Sequence, residues 1–124
     1  MTVRFTMPAE YVPGEPKAIV AALDYGGSEP VTALALRVVA PEGWQYAGVS
    51  GVLRPAIEPP AGARGELTFV WIEVPNFPAT FECMLDTPEH ATGPAKVTTQ
   101  AVYRGLGGEL SSPEVLAELS SAHE

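Results

Sequence analysis

A chain of 124 residues, 46% of them hydrophobic and 18% charged, has the length and apolar content for one core and lacks the composition of a disordered segment. Fifteen acidic against seven basic residues give a net charge of -8, a field that repels phosphate backbones and anionic lipid headgroups and excludes nucleic acid as a favoured partner. The longest apolar runs, 18–23 and 32–40, are far shorter than the roughly 20 residues of a membrane-spanning helix, no basic and apolar leader follows Met1, and the lone Cys83 allows neither an intrachain disulfide nor a cysteine zinc site.

Thirteen prolines and twelve glycines divide the chain into short segments that read as strands by alternation or by β-branched and aromatic content. Residues 3–7 place Val3, Phe5 and Met7 on one face. In 17–25, Ile19, Ala21 and Leu23 point one way, and in 32–40 Leu34, Leu36 and Val38 do so with Arg37 opposite. A turn at Pro41-Glu42-Gly43 leads into 44–50. Residues 54–65 hold too much proline for a central strand, and Glu58 within them reads as a solvated loop position with little bearing on stability. The segment 66–74 has apolar residues of both parities, Leu67, Phe69 and Trp71 against Val70 and Ile72, which predicts a central strand covered on both sides. Residues 79–85 and 96–104 add two more strands, and Gly105 to Glu109 reads as a hairpin turn, with no lysine and no following helix for a phosphate loop. At the C-terminus, Ser112, Pro113 and Glu114 suit the start of a helix, yet Val115, Ala117 and Leu119 alternate, and the strand is preferred. The whole, residues 1–124, is expected to be one all-β domain: an antiparallel two-sheet sandwich of seven to nine strands.

Residues with chemistry to offer are few and scattered. Trp44 and Tyr46 share a strand face and are the candidates for stacking on a sugar, although no Asn, Asp or Gln cluster flanks them and a ten-aromatic chain needs both for its core. Trp71 reads as core, and Cys83 in TFECMLD as a core thiol. Thirteen glutamates make chance carboxylate pairs inevitable; Glu73 stands out by sharing the parity of Trp71, and is expected to pair structurally with a cation such as Arg104. Asp24, Asp86 and Asn76 are too far apart in sequence for a calcium loop, and His90 and His123, one in a loop and one in the tail, read as solvated. Lys17 and Lys96, with Asn76 as the sole asparagine, raise the idea of a lysine to asparagine crosslink, which no flanking residue supports. No catalytic residue, metal ligand or cofactor is assigned.

Four stretches, MPAEYVPGEP, ALALRVVAPEGWQYAGVSG, GELTFVWIEVPNFPATFECMLDTP and ATGPAKVTTQAVYR, carry a likeness that spans nearly the whole chain. In their order of turn and strand motifs they resemble the immunoglobulin-like or cohesin-like β-sandwich repeats of bacterial cell-surface proteins, with Ala40 in place of the usual leucine before Pro41. The resemblance implies an exported, non-enzymatic spacer, adhesive or protein-docking unit that works beside neighbouring domains of a parent protein, against another surface protein or a glycan. The expectation is therefore one module excised from a longer exported protein, extracellular, without nucleic-acid or membrane partners and monomeric in isolation, with a carbohydrate-binding module built on Trp44 and Tyr46 as the alternative.

Overall fold

The computed structural model describes residues 1–121, and every helix or strand in them is a strand. In chain order these are β1 (Thr2–Phe5), β2 (Glu10–Tyr11), β3 (Pro16–Asp24), β4 (Ala33–Val39), β5 (Gln45–Ser50), β6 (Glu66–Trp71), β7 (Ala79–Asp86), β8 (Ala95–Gly105), β9 (Gly108–Ser111) and β10 (Val115–Ser121). One sheet has the order β1-β3-β7-β5 and the larger one β2-β10-β8-β4-β6, with β9 extending β10 along the same edge of β8. This is the all-β sandwich the alternation predicts. Two short pieces, β2 and β9, raise the strand number to ten, and the pairing is mixed, because β2 runs parallel to β10 through Glu10↔Ser120 and Tyr11↔Ser121.

Side chains of one parity meet in the middle because successive residues of a strand face opposite ways. Ile19, Ala21 and Leu23 of β3 and Phe81, Cys83 and Leu85 of β7 face Leu34, Leu36 and Val38 of β4, Leu67, Phe69 and Trp71 of β6, and Val97 and Ala101 of β8. Four rings then step between the sheets. Tyr46 of β5 meets Phe69 of β6 at 5.5 Å, Phe69 meets Phe81 of β7 at 4.7 Å, and Phe81 meets Trp71 of β6 edge-on at 5.2 Å. Such pairs contribute about 0.5–1.5 kcal/mol each beyond their buried area.

Trp44 enters the core just before β5 through a turn in which its N–H donates to the Pro41 carbonyl at 3.1 Å. Gly43, third in that turn, has φ +85°, a conformation that a residue with a Cβ adopts only under strain. The indole is thereby laid against Tyr11, 5.0 Å away.

Three expectations need correction. Residues 66–74 are not a central strand: β6 stops at Trp71, lies at the edge of its sheet, and leaves Ile72 72% exposed. Its second apolar parity is explained by the proline-rich segment, which bridges Ile57 to Val70 beside it. That segment is also not a free loop. Tyr46 N–H donates to Ala63 O at 2.8 Å, Gly62 N–H to Tyr46 O at 2.7 Å and Ala40 N–H to Gly65 O at 2.9 Å, so residues 53–65 span the open edges of β5 and β6. Glu58 has a task within it, accepting the Tyr46 hydroxyl at 3.2 Å. The first strand, finally, ends at Phe5, and Met7 only packs partly against the core.

The C-terminal segment is a strand, and Ser112 shows why the helix signals lose. Its N–H donates to Ala101 O at 2.8 Å while its hydroxyl accepts from Ala101 N–H at 2.9 Å. A hydroxyl thus carries the ladder across the break at Pro113, which has no N–H to give.

Two measurements test this account of the core. Trp71→Ala is expected to cost about 3–5 kcal/mol by cavity formation, and Glu58→Ala about 1 kcal/mol by orphaning the Tyr46 hydroxyl; urea unfolding that ranks them in reverse would show the core misassigned. The second is alkaline stability. Burial, and then the charge of Glu82, push the Cys83 thiol up to about 12. An unfolded thiol ionises near pH 8.5, so above that pH the unfolded chain releases a proton the folded one keeps, and stability falls by about 1.4 kcal/mol per pH unit. Burial followed by the nearby Glu58 raises Tyr46 too, with the same sign above about pH 10. Urea midpoints are expected to drop from pH 9 to 10 in the native chain and to stay flatter in Cys83→Ala; parallel curves would refute the role of the thiol.

Candidate functional site

The residues nominated from sequence do not converge. Trp44 and Tyr46 are 2% and 1% exposed, so neither ring offers a face to a sugar, and the carbohydrate-stacking alternative built on them is corrected here to a core role. Asp24 and Asp86 pair with opposite ends of the smaller sheet, Thr2 and Pro16 being their partners. Glu73 and Arg104 form no ion pair; Arg37 to Glu66 is the one found among the described residues. Lys17 stands opposite Leu85, whereas Asn76 precedes Ala79, which stands opposite Leu23. Six residues at ~3.3 Å per residue put the two about 20 Å apart, too far for a crosslink. The Lys17 ammonium instead donates to Pro8 O at 2.8 Å, and burial, opposed by Glu10, lowers its pKa. His90 is exposed in a turn, and His123 lies outside the described residues. Among the described residues no three His, Cys, Asp or Glu side chains gather as metal ligands, and no helix is long and apolar enough to cross a membrane.

The surface feature that periodicity alone does not reveal is the outer face of the larger sheet. Register puts its residues in rows across the strands. One row runs Ile57, Val70, Ala35, Val102 and Ser111. The next holds Thr68, Arg37 and Gln100, and a third Glu66, Val39, Thr98 and Leu116. Ile57 and Leu116 are each 56% exposed, and Val39 joins them. At the small side chains of Ala33 and Ala35 the face dips into a trough of about 280 Å³, walled by Val70 on one side and Val102 and Arg104 on the other.

Charge on this face departs from the chain as a whole. Arg37, Lys96 and Arg104 stand among Glu10, Glu66, Glu109, Glu114 and Glu118, three against five, where the full chain has seven against fifteen. Arg37 Nε donates to Glu66 Oε1 at 2.7 Å diagonally across the strands, and that hydrogen bond, then the opposite charge, hold the Glu66 carboxyl below its usual range. Gln100 is pinned by its amide N–H to Ser112 O at 2.9 Å. The face is therefore partly apolar and less acidic in proportion than the chain as a whole. The single cysteine is fully buried on the inner side.

No family model and no curated protein matches the chain. Among solved structures, a cohesin module of the family 33 glycoside hydrolase of Clostridium perfringens ATCC13124 is similar over 98% of this chain and 96% of its own, at a TM-score of 0.75 and 10% identity. AvmM, described as catalysing macrocyclization in alchivemycin A biosynthesis, is similar over 99% of this chain and 89% of its own, at 0.55 and 14%. A von Willebrand factor type A structure from Catenulispora acidiphila shares 77% of this chain and 24% of its own, at 0.50 and 16%. At these identities the likeness is one of fold, and the fold of this chain is that of a cohesin-like β-sandwich module.

Proposed function

We propose that the chain is a non-catalytic docking or adhesive module, one unit of a larger exported bacterial protein, and that it engages a protein partner through the outer face of the larger sheet. The observation that carries the reading is the apolar row from Ile57 to Val102 with its trough over Ala33 and Ala35, on a face that holds three of the seven cations of a strongly acidic molecule. Protein interfaces combine apolar contacts with polar ones, and this face offers both. The dip accepts one protruding apolar side chain, with Arg104 at its wall and the Arg37–Glu66 pair crossing the neighbouring row. The cohesin-like fold supports a docking role, and the resemblance to surface repeats supports export and neighbouring modules in the parent protein.

The opposite sheet is the weaker candidate. Its outer residues Ala18, Val20, Ala22 and Met84 match Ala35, Val70 and Val102 in exposure, but it has no counterpart to the exposed Ile57, Val39 and Leu116, and Glu82 there is occupied by the Ser50 hydroxyl at 2.7 Å.

The test compares the native chain with Ala35→Arg and Leu116→Asp on the proposed face and Thr80→Arg on the other sheet, each immobilised and exposed to the secreted proteins of the source organism. A protein retained by the native chain and by Thr80→Arg, and bound at least about tenfold more weakly by the first two variants, is the expected result. Binding insensitive to Ala35→Arg and Leu116→Asp would remove the face from the proposal. The parent reading frame checks the context: it is expected to encode an export signal and further surface modules, and a frame without either would overturn the extracellular reading.

A further inference from the structure

β5 and β6 are each the last strand of their sheet, so each has a row of backbone N–H and C=O groups that no further strand meets. The segment 53–65 answers part of both rows. On β6, Val70 N–H donates to Ile57 O at 3.0 Å, and Val70 O accepts from Ile57 N–H at 3.1 Å and Ala56 N–H at 2.8 Å. Thr68, two residues away, turns its N–H and C=O the same way and meets no loop bond among the described residues. On β5, Tyr46 is held at its N–H by Ala63 O and at its C=O by Gly62 N–H, and Glu58 accepts its hydroxyl.

This hold is made of hydrogen bonds with little buried behind them. No side chain from 51 to 65 is buried, Ile57 is 56% exposed, and only Leu53 and Ala63 of the segment pack partly against the core. Backbone bonds near water with few buried apolar contacts are the mark of a region that opens locally while the rest stays folded. Beneath it lies a strand poorly suited to exposure. Residues 67–72, Leu-Thr-Phe-Val-Trp-Ile, contain no charge, proline or glycine and are rich in β-branched and aromatic side chains, the composition that pairs edge to edge. The segment itself has the opposite character. Pro55, Pro59 and Pro60 have no N–H, and the N–H groups of Ala56, Ile57, Gly62 and Ala63 are already bonded within the chain, so it is a poor template for another strand.

An uncovered β6 is also complementary to itself. With Thr68 of one copy opposite Val70 of the other in antiparallel pairing, the two-fold axis falls at Phe69, Leu67 meets Trp71 and Glu66 meets Ile72. No like charges stand directly opposite in that register, and Glu66 is already paired with Arg37. We propose that residues 53–65 are a displaceable guard that keeps the chain monomeric: closed, they cap β6, and open, they release an edge that pairs antiparallel with β6 of a second copy. The device is separate from docking by the sheet face and is read without any partner protein.

Two measurements on the full 124-residue chain test it. In native-state amide hydrogen exchange, Tyr46, Ile57, Gly62 and Val70 are expected to exchange together, at least about tenfold faster than the amides of β4 and with little dependence on added urea. In light scattering at millimolar concentration the native chain is expected to stay monomeric. Ile57→Pro, which removes an N–H that Val70 O accepts, is expected to keep its strand circular dichroism and to dimerise. Adding Thr68→Lys, a charge at an exposed position of the β6 edge, is expected to return it to monomer. Exchange of the four amides at the β4 rate would overturn the proposal, as would a folded Ile57→Pro chain that stays monomeric or a dimer indifferent to Thr68→Lys. A native chain that dimerises as readily as the variant would do the same. So would loss of the strand signal in Ile57→Pro, because the segment would then be part of the frame of the sandwich.

Discussion

Everything in this molecule hangs on the aromatic column that crosses between the sheets, Tyr46 to Phe69 to Phe81 to Trp71. Each ring comes from the sheet opposite its neighbour, so the column sets the separation of the layers at about the 10 Å that packed sheets adopt and holds their relative position along the strands. The column also has two polar ends. The Tyr46 hydroxyl finds Glu58, brought to it by the proline-rich segment, while the Trp71 indole N–H finds no acceptor among the described residues. One end of the core is closed by the protein itself; the other is the floor of an open cleft.

Spending the aromatics this way decides what the surface can be. Trp44, Tyr46, Phe69, Trp71 and Phe81 are all buried, so none of these five rings is open to stack on a sugar. The outer face of the larger sheet is built instead of alanine, valine, threonine and scattered charges. Its trough has a simple cause: β4 contributes Ala33 and Ala35 at its outer positions, and small side chains between Val70 and Val102 lower the middle of the face.

Much of this was legible in the sequence, because strand alternation is a local signal. The inward residues of β3, β4, β7 and β8 follow from period two, and the burial of Cys83 and Trp71 follows from their parity. What could not be read was non-local. Local parity made 66–74 look central, since nothing in those residues says that a proline-rich segment from 13 residues earlier supplies the second cover at Val70. Ser112 showed a helix cap by type, yet its partner is Ala101 on a neighbouring strand. The expected Glu73 to Arg104 pair failed for the same reason, since Glu73 leaves the sheet with the loop while Arg104 stays opposite Ala33. The apolar row on the larger sheet is likewise invisible before register is known, because Ile57, Ala35 and Val102 become neighbours only when three separate pairings are combined.

Fold and surface are under different constraints here, and that explains how a cohesin module can be similar over almost the whole chain at 10% identity. The inner parity must supply volume and apolar contact, which many combinations of Leu, Val, Ile and Phe provide, so the architecture survives wide substitution. The outer parity contributes little to stability and is free to carry a partner's specificity. In this chain that freedom has been used unevenly. Three of seven cations sit on one sheet face, and the surrounding surface holds most of the excess acid. Repulsion of another anionic surface is therefore weaker at that face than over the rest of the molecule.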